Sequence, residues 1–130
     1  KSVTLNGMTH TFPGDIDLLV QSPTGTNVVV MSDAGGSADI NGINLTFDDA
    51  AGALLPATLV SGTYRPTNAG GPDNFPAPGP GSLTQVNPPL SGFSGNFNGD
   101  WKLFFVDDAG GDAGSADRGS GRRNAGFPPA

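Results

Sequence analysis

The chain contains no cysteine, no glutamate, one histidine, one tryptophan and one tyrosine. The missing thiols exclude disulfides, cysteine nucleophiles and thiolate zinc sites. A single histidine, His10, removes any His pair for zinc, and a Ser-His-Asp triad would have to use this one residue. No apolar run reaches the roughly 18 residues that a membrane helix needs, and no segment has the pattern of a signal peptide. Positive charge is scarce as well. Six Lys and Arg face twelve acidic residues, for a net charge of −6. A nucleic-acid partner is therefore not expected, since phosphates are neutralised by basic patches.

What is present points to β-structure. All twelve acidic residues are Asp, which suits turns, caps and oxygen-ligand sites and is poor on helix surfaces. Gly (21) and Pro (12) make up about a quarter of the 130 residues, a level that permits disorder, but regular apolar runs argue for a folded domain. That length supports one core.

Residues 10–36 organise the rest. IDLLV and NVVVM are dense in aliphatic and β-branched residues, and SPTGT between them supplies Pro23 and Gly25, so the stretch predicts a β-hairpin. Its open end places Asp15 and Asp17 near Ser32 and Asp33. Like charges held together call for a neutralising cation, and Ca²⁺ takes 6–8 oxygen ligands of this kind. The competing reading is that these Asp residues only end strands and form Asx-turns.

Along the chain, residues 3–12 predict one bulged strand or a short hairpin around Asn6-Gly7. INLTF at 43–47 alternates with Ile43, Leu45 and Phe47 on one face, and ends in Asp48-Asp49. A further strand is expected around Ala57–Val60, followed by a Gly-Thr-Tyr-Arg-Pro segment whose ring packs on the sheet while Pro66 ends the pairing. Residues 69–92 are the richest in Pro and Gly. They read as a loop laid over the sheet with Phe75 as anchor, or as a polyproline-like peptide for a partner. In NFNGDWKLFFV, Asn98-Gly99 predicts a turn, Trp101, Leu103 and Phe105 share one face, and Phe104 and Val106 share the other. Apolarity on both faces predicts a central strand. It runs into an acidic loop with Asp107, Asp108 and Asp112. Adjacent carboxylates such as Asp48/Asp49 or Asp107/Asp108 point to opposite faces of a strand, so neither pair would flank one bond as a general acid and base.

Read together, HTFPGDIDLLVQSPTGT, MSDAGG, LTFDDAA, SGTYRPTN, FPAPGPG and NFNGDWKLFFVDDAGGDAG resemble, in this order, the P domain of the proprotein convertase family, in its bacterial secreted version. The resemblance covers about residues 2–115. It implies an all-β sandwich of jelly-roll type without catalytic residues, which stabilises or targets a neighbouring protease or other exported domain and binds calcium. On that analogy Asp15, Asp17, Asp33, Asp48, Asp49, Asp107, Asp108 and Asp112 fall in the Asp-rich loops that would hold the metal. An extracellular or periplasmic location follows from the same resemblance. The chain departs from the family at both ends: it lacks strands before Val3, and residues 116–130 form a basic, Pro-containing tail in place of a final Gly-Trp-Ser-Leu-type strand. A sandwich incomplete in this way exposes edges, so the alternative expectation is a self-assembling or adhesive extracellular subunit that pairs through its sheet edges as a homo-oligomer.

Overall fold

The computed structural model describes residues 2–68, 72–107 and 114–115. The described residues are all-β, without an α-helix. The strands are β1 (Ser2–His10), β2 (Ile16–Gln21), β3 (Asn27–Ser32), β4 (Ile40–Asp48), β5 (Gly62–Tyr64), β6 (Thr67–Asn68), β7 (Asp73–Phe75), β8 (Gly81–Leu83), β9 (Lys102–Asp107) and β10 (Gly114–Ser115), with single 3₁₀ turns at Pro13–Asp15 and Leu90–Gly92. They form two four-stranded sheets, ordered β10-β1-β4-β5 and β6-β3-β2-β9, and a separate β7–β8 pair.

Alternation along the strands sends one face of each four-stranded sheet into a common core. Val3, Leu5 and Met8 of β1 and Ile40, Leu45 and Phe47 of β4 meet Ile16, Leu18 and Val20 of β2, Val28 and Val30 of β3, and Leu103 of β9. The β2–β3 hairpin closes through Ser22–Thr26. Within it Gly25 has φ 90°, and its N–H donates to Ser22 O at 3.0 Å. β1 is a single strand, with register shifts against β4 between Leu5 and Met8 and again before His10, and Gly7 takes φ 68° at the first of them.

Two expectations are corrected. Residues 57–60 are not a strand: Leu55 and Leu59 enter the core from an irregular connection, and the chain first pairs at β5, parallel to β4. It then passes Pro66 and joins the other sheet as β6, parallel to β3. β9 is not central. Among the described residues it borders β2 alone and forms the edge of its sheet. Its second apolar face is covered by another layer: Phe104 and Val106 pack with Leu19, Val29, Phe75 and Leu83, so the β7–β8 hairpin lies over the outer face of the sheet. The described part of the Pro-rich segment is thus seated on the sheet with Phe75 fully buried as its anchor, and it forms a short antiparallel ladder, Asp73–Phe75 against Gly81–Leu83, which its Pro content did not predict.

Candidate metal centre

The outer layer has an apolar end and an acidic end, and the same strands supply both. Along β2, Leu19 lies in the outer cluster, and Asp17, two residues earlier, shares its face. Along β7, Asp73 stands in the same relation to Phe75. β3 changes phase along its length. Leu18 is opposite Met31 and Leu19 is opposite Val29, so Val30 is an extra residue in β3. Val30 and Met31 consequently both join the inner core, and Ser32 is turned to the outer side with Asp17.

Ser32, which is fully buried, is the hub. Its Oγ lies 2.7 Å from Asp17 Oδ1, 2.6 Å from Asp73 Oδ1 and 3.3 Å from Asp33 Oδ2. Asp33 leaves β3 with φ 52°, a left-handed conformation that Asp tolerates better than most residues. Asn68, paired in register with Ser32 across β3 and β6, donates from Nδ2 to Asp73 Oδ2 at 2.6 Å and is itself fully buried. Asp17, Asp33 and Asp73 each offer a carboxylate oxygen within 4.8 Å of the other two, and Asp33 forms the exposed side of the group.

This donor set suits a hard cation. Three carboxylates and a hydroxyl are all oxygen donors, and backbone carbonyls or water can complete 6–8 ligands. There is no sulfur, and His10 does not belong to the group. The electrostatics point the same way. A serine hydroxyl has one proton and satisfies one acceptor at a time, whereas two carboxylates approach it at about equal distance. With Asp17 2% and Asp73 4% exposed, their charges are held largely out of water, where repulsion is costly unless it is neutralised.

The other Asp residues expected as ligands are placed elsewhere. Asp15 closes the 3₁₀ turn at Pro13–Asp15, with its N–H on Phe12 O at 3.0 Å. Asp48 accepts from Ala50 N at 2.9 Å in an Asx-type turn. Asp49 accepts from Leu90 N at 2.7 Å and from Ser91 N at 2.8 Å, holding the turn at Leu90–Gly92. Asp107 bonds His10 Nε2 at 2.8 Å. Asp108 and Asp112 lie outside the described residues. His10 is 1% exposed, and its Nδ1 accepts from Phe12 N at 2.9 Å, so both ring nitrogens are engaged within the fold.

Asp73 is the ligand candidate that reading the sequence misses. Its signal is the two-residue step to Phe75: once Phe75 is taken as an anchor on the sheet, the residue two before it in an extended segment faces the sheet too.

No family model matches the chain, and neither the curated proteins nor the solved structures contain a match to it.

Proposed function

We propose that this chain is a non-catalytic, calcium-stabilised accessory module of an exported protein, a P-domain-like β-sandwich of jelly-roll type that supports or targets a neighbouring catalytic domain. The observation that carries this reading is the convergence of Asp17, Asp33 and Asp73 on Ser32. Bound there, calcium supplies positive charge that cancels the carboxylate repulsion. The residues themselves do the rest. Asp17 and Ser32 belong to the central hairpin, and Asp73 belongs to the hairpin that covers it, so ligation ties the outer layer to the sheet. Extracellular calcium sites have Kd values of about 10⁻⁴–10⁻³ M, matched to their surroundings. Binding at tenfold above Kd stabilises the folded chain by roughly 1.4 kcal/mol.

The test is thermal unfolding in EDTA and in about 1 mM calcium, a level set by that affinity range. A domain of this size should gain several degrees with calcium. Asp73→Asn should lose this gain while remaining folded in EDTA. An unchanged calcium response in Asp73→Asn would reject the site, and no response in the unaltered chain would reject calcium.

A further inference from the structure

Three Asn–Gly pairs lie in the described residues: Asn6–Gly7, Asn41–Gly42 and Asn98–Gly99. Asparagine before glycine is the pair most open to attack by the following backbone nitrogen on the side-chain amide carbon, because glycine has no Cβ to obstruct closure of the five-membered ring. The fold treats the three pairs differently. Gly7 lies within β1, and its N–H is held by Asn44 Oδ1 at 2.9 Å. Gly42 lies within β4, and its N–H is held by Thr9 Oγ1 at 3.0 Å. Gly99 lies outside the strands, and among the described residues nothing accepts its N–H. Asn98 and Gly99 are both exposed, and the bond made by Asn98 is from its own backbone N–H to Asn96 Oδ1 at 2.9 Å, which leaves the side-chain amide uncommitted among the described residues. The turn also retains its glycine. Gly99 has φ 124°, and a Cβ there would stand 3.0 Å from Pro23 Cβ.

We propose that Asn98 is a site of spontaneous covalent modification, deamidating through a cyclic imide with Gly99. The Gly99 nitrogen gives its proton to solvent and bonds to Asn98 Cγ. The Cγ–N bond of the amide then breaks, and the nitrogen leaves as ammonia after taking a proton. Water next opens the ring at either carbonyl, giving Asp or isoaspartate at position 98. Each product adds a negative charge, and isoaspartate also inserts a methylene into the main chain. That change falls beside the only tryptophan: Trp101 Nε1 donates to Phe97 O at 3.0 Å, and the two rings lie 5.8 Å apart. The turn lies at the Pro23 end of the hairpin, opposite the acidic group, so the reaction proceeds independently of calcium.

The experiment is to incubate the intact folded chain at mildly alkaline pH and follow all three pairs by peptide mapping. Chymotryptic cleavage after Phe97 and Trp101 isolates Asn98–Trp101, and chromatographic comparison with synthetic Asp and isoaspartate forms of this peptide separates the two products. Asn98 should convert more than about tenfold faster than Asn6 or Asn41. At Asn6 and Asn41, which lie at the register shifts between β1 and β4, the glycine N–H must first be freed from Asn44 Oδ1 or Thr9 Oγ1, and a local opening cost of about 1.4 kcal/mol already slows them tenfold. In denaturant the three rates should converge. Equal rates in the folded chain, or a lead for Asn6 or Asn41, would overturn the proposal. Asn98→Gln should abolish the slow drift of Trp101 fluorescence that accompanies conversion, and a drift that persists would show that the turn does not carry the modification to Trp101.

Discussion

Ser32 and Asp73, 41 residues apart in the chain, meet at 2.6 Å in the interior, so the strand at the centre of one sheet and the hairpin that covers it share a polar contact. Apolar packing among Leu19, Val29, Phe75 and Phe104 lies alongside. The covering layer is thus held by oil at one end and by charge at the other, and the two ends respond to different perturbations.

Asp49→Ala should separate turn-holding carboxylates from those proposed to hold calcium. Asp49 accepts two backbone N–H groups at the start of the turn at Leu90–Gly92, an arrangement comparable to a helix N-cap. Its loss should cost about 1–2 kcal/mol. The loss should be equal in EDTA and in calcium, as read from paired denaturant melts. A smaller calcium response in this variant would place Asp49 among the ligands.

Phe75→Ala should cost about 3–5 kcal/mol, since it empties a fully buried site. It should also weaken the proposed calcium binding, because Asp73 is positioned by the same three-residue strand. Urea unfolding gives the first quantity and a calcium titration gives the second. Calcium affinity unchanged in a destabilised but folded variant would mean that the acidic group is positioned without the hairpin.

His10→Leu should destabilise the chain by about 1–3 kcal/mol. The imidazole joins the end of β1 to the end of β9, accepting from Phe12 N on Nδ1 and, as the neutral ring, donating from Nε2 to Asp107. A leucine of similar bulk fills the space but leaves the Phe12 N–H without that acceptor. Melts in EDTA and in calcium should shift together. A loss seen in calcium alone would tie this pair to the metal.

Much of the fold can be read from local pattern. The apolar runs IDLLV and NVVVM mark β2 and β3, the two-residue step through Trp101, Leu103 and Phe105 assigns a face of β9, and Pro23 and Gly25 mark the turn, because these signals act over a few residues. The phase of β3 cannot be read this way. Met31 and Ser32 exchange faces at a bulge whose existence depends on how β3 pairs with β2. Nor does two-sided apolarity in β9 indicate its place in the sheet, since a covering hairpin buries an edge strand as completely as two neighbouring strands would.

By itself, the sequence determined that this is an all-β chain with one hairpin at its centre, many Asp side chains at strand ends and a Pro-rich segment anchored by Phe75. These are properties of neighbouring residues, set by backbone propensity and side-chain alternation. That the Pro-rich segment pairs as the β7–β8 hairpin was decided by the fold. Tertiary structure alone decided which carboxylates converge. Of the Asp residues at strand ends, Asp48 and Asp49 hold turns and Asp107 holds His10, while Asp17 and Asp33 meet Asp73. The physical reason is that the convergence of carboxylates is a property of distance in space. Here that distance is set by a strand bulge and by the seating of Phe75 on the outer face of the sheet.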